Sequence, residues 1–157
     1  MICVLKERLW QNLKVTVGSK NSKHQFSSIN ILNNYVLTSL NITDNTENGK
    51  IKPLASFDLS CDERLIVGGT EHTSGDAFIL FWDIRQSNSK LENKNSLLGG
   101  YWESHMDDIT CLTFHPVKRN VLVSGSTDGL MNIFDLTQSS EDLALTCSLN
   151  TESSVVR

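Results

Sequence analysis

The feature that most restricts this chain is a repeat in its second half. Val121 to Leu136 reads VLVSGSTDGLMNIFDL, a strand, a tight turn and a second strand. An earlier stretch has the same order: RLIVGGT at 64–70, then DAFILFWDI at 76–84. Val67-Gly68-Gly69-Thr70 stands against Val123-Ser124-Gly125-Ser126, Asp76 against Asp128, and Phe81-Trp82-Asp83 against Ile133-Phe134-Asp135. In both copies the aromatic residue follows the turn aspartate by six positions. A unit repeated at such an interval buries its apolar faces by stacking on copies of itself. Stacked repeats make binding surfaces.

Periodicity places further strands around each copy. Asp108-Ile109-Thr110-Cys111-Leu112-Thr113-Phe114 alternates apolar and polar, as a half-buried strand should, and points Cys111 into a sheet core. His115-Pro116 ends it, because proline gives no N–H to a ladder. Thr127-Asp128-Gly129 is the turn: Asp bonds local backbone and Gly tolerates positive φ. Ser139 to Asp142 reads as a polar link and LALTCSL at 143–149 as a fourth strand. The earlier copy has Leu54 to Phe57, a turn at Ser60 to Glu63, Arg64 to Thr70, Ala77 to Ile84, a solvated loop at 86–96 and Leu97 to Trp102. Each copy thus holds four antiparallel strands in about 45 residues.

The first fifty residues are poorer in signal. Leu13 to Val17 fits a strand. INIL, Asn33-Asn34 and YVLTSL fit a hairpin turning at the two asparagines. Thr43 to Lys50 is polar and loose. Residues 1–50 therefore form a divergent N-terminal segment with room for part of a repeat. Residues 51–157 hold the repeats, about 51–103 and 104–150. The ending, NTESSVVR, reads as the first strand of a following repeat cut short.

Composition removes several functions. The 157 residues carry a net charge of −4, against nonspecific attachment to nucleic acid. No run reaches the eighteen-odd apolar residues of a membrane span. MICVLKERLW lacks the charge order of a secretory signal. The expectation is an intracellular protein of cytoplasm or nucleus, without a membrane partner. Cys3, Cys61, Cys111 and Cys147 are widely spaced, as suits reduced thiols and no metal site. His72 and His115 each lack a near His or Cys partner, and no cofactor motif stands out. Asn41-Ile42-Thr43 fits a glycosylation triplet, a chance match in a chain that is not exported.

The motifs SFDLSCDERLIVGGTE, FWDIR, SHMDDIT, FHP and VSGSTDGLMNIFDL resemble the WD-repeat family of β-propellers over about the last two-thirds of the chain. The resemblance implies an all-β partial propeller with two recognisable four-stranded blades, unclosed as it stands. It also implies a structural tetrad of His, Ser or Thr, Asp and Trp in each blade. Carried across, the later blade has His105, Ser124 and Asp128, with Phe134 where Trp is expected. Phe keeps the packing and loses the indole N–H. The earlier blade keeps Asp76 and Trp82, has Gly68 at the Ser position, and lacks a His near Gly49. Nothing at either end reads as a polar cap, so an end blade is expected to expose an apolar face such as Ile79, Phe81 or Leu112.

Three functions compete. The leading one is a noncatalytic protein-interaction scaffold. Its candidate surface is a rim carrying Glu71, Asp76, Glu103, Asp107, Asp108 and the aromatic Trp102, a dock for a basic protein or peptide. The same acids also suit a merely solvated rim, and Trp102 also suits burial between blades. The second is a truncated, nonfunctional propeller fragment. The third makes Ser124 the nucleophile of a hydrolase triad with His105 and Asp128. Against it, Ser124 lies inside a strand, not on a sharp strand–helix elbow.

Overall fold

Within the computed structural model, residues 13–19, 26–33 and 36–41 are described as backbone; 54–72, 75, 77–83 and 97–156 are described in full. The first blade is the meander β4 (Leu54–Leu59), β5 (Leu65–Thr70), β6 (Ile79–Asp83) and β7 (Leu97–Tyr101). The second is β8 (Cys111–Phe114), β9 (Val121–Gly125), β10 (Leu130–Asp135) and β11 (Leu145–Asn150), in sheet order β8-β9-β10-β11. Both are antiparallel, as hairpin connections require. Ahead of them β1 (Leu13–Ser19), β2 (Phe26–Asn33) and β3 (Val36–Asn41) form a meander. It joins the first blade through the single pair Phe26–Leu54. Eight of the eleven described strands form two four-stranded blades, and the described strands do not close a ring.

Local chemistry shapes the reversals. At Ser60, Oγ accepts the N–H groups of Arg64 (3.2 Å) and Leu65 (2.9 Å) and donates to Asp62 Oδ1 at 2.7 Å. Glu63 takes the left-handed conformation there, at φ 56°. At the second blade's turn, Asp128 Oδ1 accepts the Leu130 N–H at 2.8 Å and Gly129 supplies φ 85°. His115 closes the β8–β9 turn, its Nδ1 accepting the N–H of Val117 (3.1 Å) and Lys118 (3.0 Å).

The blades meet over one dry core. Val67 and Ile79 of the first blade pack with Ile109, Leu112, Phe114, Leu122 and Phe134 of the second. Three of the polar ties between them line this core. Asp58 Oδ2 accepts the Phe114 N–H at 2.8 Å, a donor on the β8 edge that faces away from β9. The Ile109 N–H donates to Thr70 O at 3.1 Å, and Ser56 Oγ donates to Ile109 O at 2.5 Å. Gly69 makes room for this latch: a Cβ there would lie 2.5 Å from Ile109 Cγ2.

The second blade repeats the latch at its exit. The Val155 N–H donates to Ser126 O at 3.0 Å, Thr110 Oγ1 donates to Val155 O, and a Cβ on Gly125 would lie 2.7 Å from Val155 Cγ1. Thr110, Gly125, Ser126 and Val155 thus play the parts of Ser56, Gly69, Thr70 and Ile109.

Four expectations change. Cys111 is half-buried on the face opposite Leu112 and Phe114, so the core-facing phase of β8 is one residue later. Leu143 and Ala144 are not strand: α1 (Glu141–Ala144) precedes β11, with Ala144 fully buried and its N–H on Ser140 O. Residues 151–156 carry the latch, with Val155 placed as Ile109 is placed ahead of β8. Ile79 and Leu112 are fully buried between blades. The less covered apolar face is instead the other side of the second blade, through Val121, Val123, Met131 and Ile133. The β2–β3 ladder runs to the pair Asn33–Val36, which leaves Asn33 in the strand. Asn34, Thr43 to Lys50, Asp76 and the loop 86–96 lie outside the described residues.

Because the latch leaves no volume at Gly69, Gly69→Ala is expected to lower stability by about 1–3 kcal/mol through overpacking against Ile109. A thermal or urea unfolding scan of the two chains side by side reads this. An unchanged midpoint would mean that the blades are not clamped here.

A buried polar network behind an acidic rim

Strand β9 brings Ser124 into the sheet, fully buried, and the turn after it brings Asp128 back toward the loop that enters the blade. His105 on that loop links them. Its Nδ1 lies 3.1 Å from Asp128 Oδ2 and its Nε2 lies 2.6 Å from Ser124 Oγ. The Nδ1–H tautomer satisfies both contacts, with Ser124 Oγ–H donating to Nε2. Asp128 Oδ2 also accepts the Met106 N–H at 2.9 Å. One carboxylate therefore fixes the turn and the entering loop together.

Burial pushes the His105 pKa down, and the neighbouring Asp128 charge and hydrogen bond only partly offset it, so the ring is neutral at pH 7. Asp128 is moved the other way in cause. Burial alone would raise its pKa, but the N–H groups of Met106 and Leu130 together with His105 hold it below the ordinary value.

Phe134 is fully buried and packs on Tyr101, ring centroids 4.9 Å apart, so it keeps the volume expected of the aromatic position. In the first blade Trp82 is 3 % exposed, in a cluster with Leu54, Ile66 and Leu80. A Cβ on Gly68 would lie 2.9 Å from Leu54 Cδ1 and 3.0 Å from Trp82 Cζ3. Gly68 therefore does more than lack a hydroxyl: it admits Leu54. The first blade fills with hydrocarbon the place where the second carries its network. Gly49 lies outside the described residues, as does Asp76.

The rim forms around the same loop. Asp107 O accepts Ser126 Oγ–H at 3.0 Å, Asp108 O accepts the Thr127 N–H at 3.0 Å, and Asp108 Oδ1 accepts the His72 N–H at 2.6 Å. Glu71 sits close enough to Asp108 that its pKa is raised, first by burial and then by that charge. Glu103 is exposed, and its N–H donates to Glu141 Oε1 at 3.0 Å. Trp102 is 47 % exposed, edge-on to Phe78 with centroids 4.9 Å apart. Glu141 was invisible to motif reasoning. Its carboxylate gathers the N–H groups of Trp102 (2.7 Å) and Glu103 and the hydroxyl of Ser104. Asp58, which ties the blades, was equally silent, since an aspartate in a strand carries no pattern of its own.

Ser124, His105 and Asp128 are hydrogen-bonded in the order of a hydrolase triad, but inside the blade. The Ser124 residue and the His105 side chain are both fully buried, so no substrate reaches the hydroxyl. Among the described residues no group of three His, Cys, Asp or Glu side chains is placed to hold a metal ion. Among them, too, no helix is long and apolar enough to cross a membrane.

Comparison with known proteins gives the same architecture. No family model matches the chain. It is 45 % identical over 89 residues to a WD repeat-containing protein of Saccharomyces cerevisiae, covering 55 % of this chain and 21 % of that one. It is 44 % identical over 52 residues to a WD repeat-containing protein 89 homolog of Dictyostelium discoideum, covering 33 % of this chain and 14 % of that one. The aligned part thus spans about a fifth of the yeast relative and less of the other. Among solved structures, a propeller chain of the mitotic checkpoint complex matches with TM-score 0.59 at 19 % identity, covering 90 % of this chain and 36 % of that one. A chain of the COPII outer coat vertex on membranes matches with TM-score 0.65 at 16 % identity, covering 91 % and 33 %.

Removing the Asp128 carboxylate takes the acceptor from the Met106 and Leu130 N–H groups and from the buried His105 ring. Asp128→Ala is therefore expected to cost about 1–3 kcal/mol, read as a lower melting midpoint. The pKa directions add a pH dependence. His105 is held neutral in the folded chain, so unfolding takes up a proton once the pH drops below about 6.5. Asp128 contributes stability above its ordinary value of 3.8 that is lost only at more acid pH. The midpoint should thus begin to fall below about pH 6.5, and His105→Gln should abolish that first loss. A flat midpoint from pH 7.5 to 5 contradicts the assignment.

Proposed function

We propose that this chain, two blades of a WD-repeat propeller, is a noncatalytic protein-interaction scaffold whose acidic rim receives a basic segment of a protein partner. The relatives are WD-repeat proteins and the structural neighbours are propellers in multiprotein assemblies, which supports a protein-binding role in general. The single observation behind the finer reading is the way the rim is held. Loop 102–108 is tied at Glu141, at Asp128, at the Ser126 hydroxyl and at the Thr127 backbone, while Glu71, Glu103, Asp107 and Asp108 remain at least partly open to solvent. A fixed loop loses little conformational freedom on binding, so charge complementarity is retained as affinity. Trp102 adds a half-exposed aromatic face beside the acids. Acid here disfavours nucleic acid as the partner. Widely spaced cysteines, three of them free among the described residues, suit the cytoplasm or nucleus.

Titration of the full chain with a Lys- and Arg-rich peptide tests the reading. Binding is expected, weaker at higher salt as surface charges are screened. Glu71→Gln and Glu103→Gln should each weaken it about twofold to fivefold, the size of an exposed charge pair. Binding should also weaken on acidification while the pH is still above 4.5, because Glu71 takes its proton earlier than an ordinary glutamate. An affinity indifferent to salt and to both substitutions would exclude the rim. Fluorophosphonate labelling of Ser124 that depends on His105 would replace the scaffold reading with hydrolysis.

A further inference from the structure

Asn132 is the residue the network leaves unexplained. It stands opposite Ser124 on β10, two places before Phe134 and on the same face of the strand. It is 1 % exposed. Its Nδ2–H donates to Ser104 O at 2.8 Å, and the same nitrogen approaches His105 Nε2 at 3.5 Å. Its Oδ1 is buried without a partner. Turning the amide over would aim Oδ1 at Ser104 O, two acceptors face to face, so the Ser104 contact fixes the orientation. A buried amide with its oxygen unmet is costly. At the matching place in the first blade stands Leu80, in hydrocarbon. The amide thus occurs in the blade that carries the polar network and has phenylalanine where an indole is expected.

We propose that Asn132 is the missing fourth member of the second blade's network: a positioning residue that ties β10 to the Ser104–His105 segment in place of an indole N–H, and so sets the rim loop 102–108. Phe134 fills the volume and Asn132 supplies the donor. The tie runs from the strand to the backbone beside His105, not to Ser124. It also supports the tautomer, because an Nδ2–H directed toward Nε2 suits that nitrogen only when it is unprotonated. The charged groups whose fields reach His105 are Asp128 and Glu141. The consequence for binding rests on the scaffold reading, whereas the role in the network does not.

Nitrogen NMR of the histidine rings and amide hydrogen exchange, both on the full chain, test this. The native chain should show His105 in the Nδ1–H form and a protected Asn132 side-chain amide. Asn132→Leu, close in volume, should mix the two tautomers and speed exchange across residues 102–108 by about tenfold. Adding Phe134→Trp to it should restore both, by returning the indole donor. Asn132→Ser, too short to reach Ser104, should act like Asn132→Leu and covers the case in which leucine prevents folding. A freely exchanging Asn132 amide in the native chain overturns the proposal. So does a folded variant that keeps one tautomer and native exchange and merely melts earlier. If the native chain binds no basic peptide, the scaffold reading fails while these NMR outcomes stand. If it binds, Asn132→Leu should weaken binding with every rim acid still present.

Discussion

The order of the second blade depends on one carboxylate. The Asp128 carboxylate receives the N–H groups of Leu130 and Met106 and faces His105 Nδ1. The first bond shapes a tight turn, the second holds the loop that enters the blade, and the third connects both to Ser124 inside the sheet. Of these donors the His105 ring is fully buried, so without the carboxylate its N–H would be cut off from water. A charged acceptor is suited to the task because it carries several bonds at once and is strengthened by low local polarity. The rim inherits its shape from this arrangement, since Asp107 and Asp108 follow directly on the loop so fixed.

The two blades solve the same packing problem by opposite means. In the first, Gly68 removes a side chain so that Leu54 can lie on Trp82, and Leu80 completes a hydrocarbon cluster. In the second, Ser124, His105 and Asn132 occupy the matching region with polar atoms. Dry packing needs no partners and tolerates small shifts. A polar network demands that nearly every atom be matched, and it specifies one geometry in return. The specified geometry lies where the acids are presented, and the hydrocarbon solution lies where the chain only has to stack.

Much of this was legible in the residues. The repeat located seven blade strands to within a few positions, because turn chemistry and apolar alternation agree from Leu54 to Asp135. His105, Ser124 and Asp128 could be grouped because spacing carried from the resemblance joined them across the fold. Three things were out of reach for physical reasons. The phase of β8 was misjudged because Cys111 and Leu112 are both apolar enough to face inward, and only contact with the first blade decides between them. Helix α1 was read as link and strand because a four-residue turn is too short to show a period. Asp58, Asn132 and Glu141 act on backbone groups that lie far off in sequence, and no local pattern records such partners.

The repeated latch also has a mechanical meaning. Residues 151–156 are pinned at Thr110 and Ser126, at the root of β8 and β9, immediately after the exposed outer strand β11. Tension applied to the C-terminal end therefore arrives first at the inner strands. It loads the Val155 bonds before any force reaches β11, so the strand with least cover is shielded from being peeled away. The edge with least cover lies behind its anchor, where the Val155 bonds and the glycine-sized gap at Gly125 share the load with the bonds of Ser154 to Thr127 and of Thr151 to Gly129.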